Sequence, residues 1–329
     1  MQNIVITTRP RPVAPWYAWG PELSLALAGA ALFILLPEEL GFATSLVIGA
    51  LFALSLDLVL GYAGIVSLGH AAMFGTGAYA AGLFAVHVSG DPLLGLAFGA
   101  SCGAIIAWIS GLLVLRVQGL TSVMITLTLA QLLYEAASKW RALTGGDDGF
   151  SGIEMQSIFG LFDFDYLGRT GFIYALTVLI IVYACLRRLV GSPFGLSLVG
   201  LREDRMRMVT MGCDANKQLT RVYIIGGAIA GIAGALSAQI TQVVGLSSLS
   251  FTHSAEVVIM VVLGGTGRLW GAMLGAAVFI GVHHIASTID PLRWMLFIGI
   301  LLLVVVMAVP GGLSSAVVNL YARFTKVKP

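Results

Sequence analysis

Apolar residues run along this chain in long blocks separated by short polar or glycine-rich breaks. A membrane helix needs about 20 mostly apolar residues. On that rule the blocks predict spans at 21–37, 41–60, 66–88, 93–115, 119–138, 170–187, 219–243, 254–266, 269–288 and 292–309. The expected architecture is an all-α polytopic membrane protein of about ten segments, some of them broken by glycine. The block at 254–266 is short and reads as a half-helix or re-entrant piece. Two polar stretches interrupt the blocks, an outer one at 139–169 and an inner one at 188–218. The resulting plan is an N-terminal tail 1–20, a membrane domain 21–310 and a C-terminal tail 311–329.

Small residues recur inside the blocks. Gly95, Gly99, Gly103, Ala107 and Gly111 repeat at every fourth position, as do Gly227 with Gly231 and Gly271 with Gly275. In lipid no hydrophobic force draws helices together, so close van der Waals packing does, and stripes of small residues mark those contacts. The stretch "GYAGIVSLGHAAMFGTGAYAAG" from Gly61 to Gly82 differs. Gly61, Gly64 and Gly69 do not share a helical face, and with Ser67 and His70 they predict an unwound start to the third helix near Gly64. Gly264, Gly265 and Gly267 break a second apolar run. Two glycine-broken hydrophobic segments, one in each half of the chain, point to a transporter built from repeats.

Composition agrees. The 329 residues are 58% hydrophobic and only 10% charged, against roughly 25% charged in a soluble domain. A net charge of +2 is too small to suggest a nucleic-acid partner. The placement of charge says more. Arg9, Arg11, Arg116, Arg187, Arg188, Arg202, Arg205, Arg207, Lys217, Arg221, Arg268, Arg323, Lys326 and Lys328 all fall on one side if ten spans are threaded with both termini in the cytoplasm. Glu38, Glu39, Asp91, Asp147, Asp148, Asp163, Asp165 and Asp290 fall on the other side, where Lys139, Arg141, Arg169 and Arg293 are exceptions. The N-terminal stretch is polar, proline-rich and aromatic, unlike a cleaved signal peptide. It reads as a cytoplasmic tail ending in an interfacial Trp16, Tyr17 and Trp19 belt.

Candidate chemistry is sparse. Cys102, Cys185 and Cys213 have no CxxC or His spacing and read as small buried hydrophobes. Intramembrane ionisable groups are functional candidates by default, which brings in Asp57, His70, Glu135, Glu256, His283 and His284. His70 is compatible with a gate, a proton relay, a ligand or a helix-capping role near the cytoplasmic interface. Glu135 lies near the outer end of its span. Adjacent rings at His283 and His284 point about 100° apart on a helix and do not make a chelating pair. No catalytic residue and no metal site is expected.

The inner segment predicts a helix. "Pro193-Phe194-Gly195" breaks the sixth span, and "LSLVGLREDRMRMVTMG" then reads as helical until Gly212. Arg202, Glu203, Asp204, Arg205 and Arg207 stand beside Leu201, Met206, Met208, Val209 and Met211. Such a helix can lie on lipid or dock into a groove on a soluble partner, and its methionines suit a binding surface.

Three ordered motifs carry a family resemblance. They are "LDLVLGYAGIVSLGHAAMFGTGAYAAGL" at 56–83, "GLSLVGLREDRMRMVTMGCDANKQLTRVYIIGGAIAGIAGAL" at 195–236 and "EVVIMVVLGGTGRLWGAMLGA" at 256–276. The chain resembles the LivM-type permease subunits of bacterial branched-chain amino acid ABC importers over roughly residues 40–310. The resemblance implies that 199–212 is a coupling helix seated on a nucleotide-binding subunit. Arg202, Glu203 and Gly212 match the family pattern, and Asp204 stands where Asn or Asp is usual. Met208 and Val209 replace alanines, and Ala272 stands where proline is common. The implied partners are two nucleotide-binding ATPase subunits, a second related permease subunit, a periplasmic substrate-binding protein and membrane lipid. No P-loop GxxxxGK[ST] occurs in the chain, so ATP and Mg²⁺ would sit on partner subunits and this chain would hold no cofactor. The implied location is the bacterial inner membrane. Gly64, Ser67, Gly69, His70, Glu256, Gly264, Gly265 and Gly267 are the candidate path or broken-helix residues.

Two alternatives stay open at this point. Permeases of the same kind carry urea, short amides or aromatic acids. A secondary transporter would instead use Asp57, His70 or Glu256 as its ion-coupled group. A membrane enzyme would need His and carboxylates clustered at helical spacing, which the sequence does not show.

Overall fold

The computed structural model describes residues 20–35, 38–117, 119–153, 155–157, 168–289, 296, 299–300, 303, 307 and 311–316. The tail at 1–19 with its aromatic belt, most of the span at 292–309, Asp163, Asp165, Asp290 and Arg293, and most of the C-terminal tail lie outside these residues.

The chain is a bundle of helices. In order they are α1 (Gly20–Leu35), α2 (Leu40–Leu56), α3 (His70–His87), α4 (Pro92–Val114), α5 (Leu120–Lys139) and a single turn α6 (Arg141–Thr144). They continue with α7 (Arg169–Val190), α8 (Pro193–Glu203), α9 (Arg205–Thr210), α10 (Ala215–Thr241), α11 (Phe251–Gly264) and α12 (Leu269–Ile289). A π turn at Asp57–Tyr62 extends α2. Six described helices are long and apolar enough to cross a membrane, and α1 and α11 are shorter apolar helices. Eight of the nine predicted spans down to 288 reappear among these, the ninth, 66–88, is the shorter α3 beginning at His70, and the protein is an all-α polytopic membrane protein.

Local chemistry sets the helix starts. Asp91 accepts the Leu93 N–H at 2.9 Å ahead of Pro92, the residue type best tolerated in a first turn. Asp214 caps α10 through Lys217 N–H at 3.2 Å. The hydrogen bond from the Lys217 side chain holds the Asp214 carboxyl below the usual carboxylate range. At the far end of the bundle two short strands, β1 (Phe150–Ser151) and β2 (Val243–Val244), pair antiparallel. Beside them Gln156 N–H bonds Gly90 C=O at 2.9 Å, so the predicted outer loop is stitched to the 88–91 turn. Arg187 Nη1 of α7 donates to both carboxylate oxygens of Glu22 of α1, at 2.8 and 2.7 Å.

α10 is the central helix, packed most extensively on α4 and α3. The small-residue stripes meet there, as expected. A Cβ on Gly99 would lie 2.7 Å from Ala235 Cβ, and one on Gly103 would lie 2.9 Å from Gly231 Cα. The ridge of one helix is therefore bare backbone against backbone of the other. Gly271 and Gly275 of α12 make the same approach to Gly264 and Met260 of α11. Gly103→Leu should cost about 1–3 kcal/mol or more through overpacking and remove most monodisperse protein in detergent. Gly281→Leu, with nothing near its Cβ position, should leave yield unchanged. Equal yields of the two variants would refute the seam.

Three expectations need correction. The cysteines are not buried: Cys102 and Cys213 are half-buried and Cys185 is exposed, on a helix face turned away from the core. The inner helix does not run unbroken to Gly212. It divides at Asp204, whose extended backbone (φ −152°, ψ 95°) ends α8 and whose side chain caps α9 through Arg207 N–H at 3.0 Å. Gly212 is the later stop, at φ +87°. His70 is not a cap. The N-cap position of α3 is Gly69, with no side-chain cap, and His70 is fully buried.

Candidate functional site

Three segments distant in sequence meet where α2 ends, α3 begins and α11 turns into α12. From Gly64 to Gly69 the backbone is unwound, with Gly64 at φ +72°, as the glycine pattern predicted. Between α11 and α12, Gly265 at φ +98° and Gly267 at φ +80° form the second break. Asp57, fully buried, joins the two: its Oδ1 accepts Gly267 N–H at 2.7 Å. Arg202, in the last turn of α8, donates to the Gly61 carbonyl, and its charge attracts the Asp57 carboxylate. The glycine contacts are tight. A Cβ on Gly61 would overlap Gly267 N and Asp57 Oδ1, and one on Gly64 would come within 2.9 Å of Arg202 Cγ. The sequence marks Gly61 as a break in helical register and Asp57 as an intramembrane charge or the ion-coupled group of a secondary transporter; their meeting with Gly267 is seen only in the structure. The segments at 61–69, 188–218 and 264–268, which the charge pattern assigns to one side, lie together at one end of the bundle.

The remaining site candidates divide between this joint and the core. Gly69 lies against α5: a Cβ there would overlap Thr126 C=O, and Leu68 N–H bonds Thr126 Oγ1 at 3.2 Å. Ser67 is buried, and its hydroxyl accepts Gly69 N–H at 3.4 Å. Gly264 sits under Gly271 and Gly275 of α12, where close packing leaves no room for a side chain. Glu256 is remote from the joint. It pairs with His253 Nδ1 at 3.1 Å, and that ring stacks on Phe52 with centroids 5.1 Å apart. Among the described residues no group of three or more His, Cys, Asp or Glu gathers as a metal site.

His70 ties the start of α3 to α2. The Ser55 hydroxyl donates to Phe52 C=O at 2.6 Å, so its one proton is committed. It must therefore accept from His70 Nε2–H at 2.9 Å, which assigns the proton to Nε2. The imidazole also stacks on Phe52, centroids 5.7 Å apart. One residue on, Ala71 N–H is held by Ser254 Oγ of α11 at 2.9 Å.

Glu203, Asp204, Arg205 and Gly212 lie on the α8–α9 elbow, outside the bundle. Arg205 Nη2 donates to Asn216 Oδ1 at 2.8 Å, and Glu203 is exposed. Met208 lies over Gly200, within 2.7 Å of where its Cβ would be, and so folds α9 back on α8. Met206 and Met211 are left 77% and 75% exposed, with Val209 beside them. A surface this apolar on a charged elbow suits a protein partner.

The profile of a family described as "Branched-chain amino acid transport system / permease component" matches residues 40–306. The chain belongs to this family. Among its relatives, the permease is 27% identical over 316 residues to the high-affinity branched-chain amino acid transport system permease protein LivM of Salmonella typhimurium, covering 88% of this chain and 73% of the relative. It is 26% identical to the LivM protein of Escherichia coli over the same shares of the two chains. A probable branched-chain amino acid transport permease protein LivM of Methanocaldococcus jannaschii is 29% identical over 182 residues, 50% of this chain and 52% of the relative. No solved structure gives a significant match. These relatives are transport permease proteins rather than enzymes.

For the permease, the Ser55–His70 bond separates two roles. Ser55→Ala strands a buried N–H and should cost about 1–3 kcal/mol of stability, with transport per folded molecule unchanged. Thermal unfolding and uptake measured on one preparation check it. Lost uptake at unchanged stability would make the histidine a gating group.

Proposed function

We propose that the chain is one permease subunit of a heteromeric ATP-driven importer in the bacterial inner membrane, with both termini cytoplasmic. It forms half of the path for branched-chain amino acids. Two nucleotide-binding subunits carry ATP and Mg²⁺, a second related permease completes the path, and a periplasmic binding protein delivers the solute to the outer loop.

One observation carries this reading. Arg202 leaves the α8–α9 elbow and bonds the backbone of Gly61, inside the joint that Asp57 closes onto Gly267. A partner that moved the elbow would move both glycine-broken segments together. The exposed methionines on the same elbow offer the partner its seat. The substrate assignment is supported by the names of the relatives, which are branched-chain amino acid permeases. A gradient-driven transporter would place buried acids opposite each other. Here Asp57 faces Arg202 and a backbone N–H, and Glu256 faces His253.

The test is a gentle-detergent pull-down from native membranes with mass spectrometry, followed by uptake of labelled leucine and labelled urea. Two ATPase chains and a sister permease, with ATP-dependent leucine uptake, are expected. A chain recovered alone refutes the importer, and urea uptake without leucine uptake refutes the substrate.

A further inference from the structure

Exposed helix faces in this bundle divide into two kinds. α4 turns Leu94, Phe98, Ile105, Ile109 and Leu112 outward, which suits hydrocarbon. α5 does the reverse. Its buried side is Ser122, Thr126, Ala130 and Ala137. Its exposed side carries Thr121, Thr128, Gln131 and Glu135 among leucines and Met124. An amide half-way along a 20-residue apolar span, with a carboxylate one turn further, is costly against lipid and implies a water-filled space.

That face is also concave. A cavity of about 660 Å³ opens there, lined by Leu127, Thr128, Gln131, Leu132, Glu135 and Phe251 among others. Its size is that of a small-molecule site. Phe251, 50% exposed, is the first residue of α11, whose 14 residues span only about 21 Å at 1.5 Å per residue. Gln131 Nε2 donates to Glu135 Oε1 at 3.2 Å, and no described Lys, Arg or His forms an ion pair with Glu135. The carboxylate thus has an amide beside it and no counter-ion among the described residues.

We propose that this concavity is the solute half-site: Glu135 and the Gln131 amide receive the ammonium group of an amino acid, and Leu127, Leu132 and Phe251 hold its apolar side chain. The inference rests on the importer reading and adds to it the wall that faces the solute. The sister permease closes the other side. Glu135 is then a ligand group within the path, and not simply a wetted helix end.

The test uses the assembled importer in vesicles, with Cys102, Cys185 and Cys213 replaced. Gln131→Cys should react with a membrane-impermeant thiol reagent at least tenfold faster than Ile109→Cys on α4. Leucine should slow that labelling, and a bulky adduct should stop uptake. In the native-cysteine background Glu135→Gln should raise the leucine KM about tenfold with ATPase coupling retained, and Glu135→Asp should restore most of the affinity. That pair still decides the matter if the cysteine-free protein fails to accumulate. Labelling of Gln131→Cys as slow as Ile109→Cys overturns the proposal, as does an adduct that leaves uptake intact or an unchanged KM in Glu135→Gln. If unmodified vesicles show no ATP-dependent uptake, the importer reading fails, and the labelling contrast still reports separately on the wet face.

Discussion

Arg202→Glu should abolish ATP-driven leucine uptake while leaving the membrane bundle folded. The guanidinium is the one group of the α8–α9 elbow seen to bond the π turn, through the Gly61 carbonyl. A carboxylate at that position donates nothing to the carbonyl and repels Asp57. Coupling between sites typically amounts to about 1–3 kcal/mol, so loss of this contact should reduce uptake by roughly 5- to 150-fold, and repulsion of Asp57 places the charge reversal at the upper end. Stability should fall by about 1–3 kcal/mol, because the Gly61 carbonyl loses its donor and the buried Asp57 loses its counter-charge. Arg202→Lys keeps the charge but loses the planar fork and should retain partial uptake. Glu203→Arg tests the other half of the elbow. Glu203 is exposed, so its reversal acts through a partner and should uncouple ATP hydrolysis from uptake at unchanged stability. Uptake assays beside thermal unfolding separate these results. Normal uptake in Arg202→Glu would show that motion enters the bundle elsewhere.

What the sequence made legible was local. The fourfold repeat of Gly95, Gly99, Gly103 and Ala107 spells out a smooth helical ridge, and the structure lays that ridge on Gly227 and Gly231. The unwound start of α3 was legible because Gly61, Gly64 and Gly69 fit no single helical face. The joint itself was not. Asp57 and Gly267 are 210 residues apart, and neither one's neighbours announce the other. The break at Asp204 was hidden by its surroundings, since apolar residues continue at helical spacing on both sides. The available signal was an Asp three residues before the N–H of Arg207, an N-cap spacing that competes with helix continuation. Glu135 lies near the end of its span, as its place in the apolar block predicted, but nothing in the sequence showed that α5 turns Gln131 and Glu135 toward one cavity.

Gly265→Leu should be among the most destructive single changes in the membrane domain. Gly265 sits at φ +98°, ψ 116°, a region closed to residues with a side chain. Forcing one there costs about 1–3 kcal/mol. A Cβ would also meet Gly311 C=O at 2.5 Å and Ser314 Oγ at 2.7 Å. Overpacking of that kind adds about 1–3 kcal/mol or more. Together these reach the lower end of the stability margin of about 5–15 kcal/mol in an ordinary domain. The expected result is protein missing from the monodisperse peak on detergent size exclusion. Gly265→Ala should show a smaller loss, because it shares the backbone strain but adds only the first carbon. The α11–α12 joint holds Gly267 N–H against Asp57, so damage here should also release the α2 end from α12. A Gly265→Leu protein that folds but does not transport would show that the break constrains motion more than assembly. One that folds and transports would mean that neither the positive φ nor the contact with the 311–314 segment is needed, and the two glycine-broken segments would then lose their mechanical link.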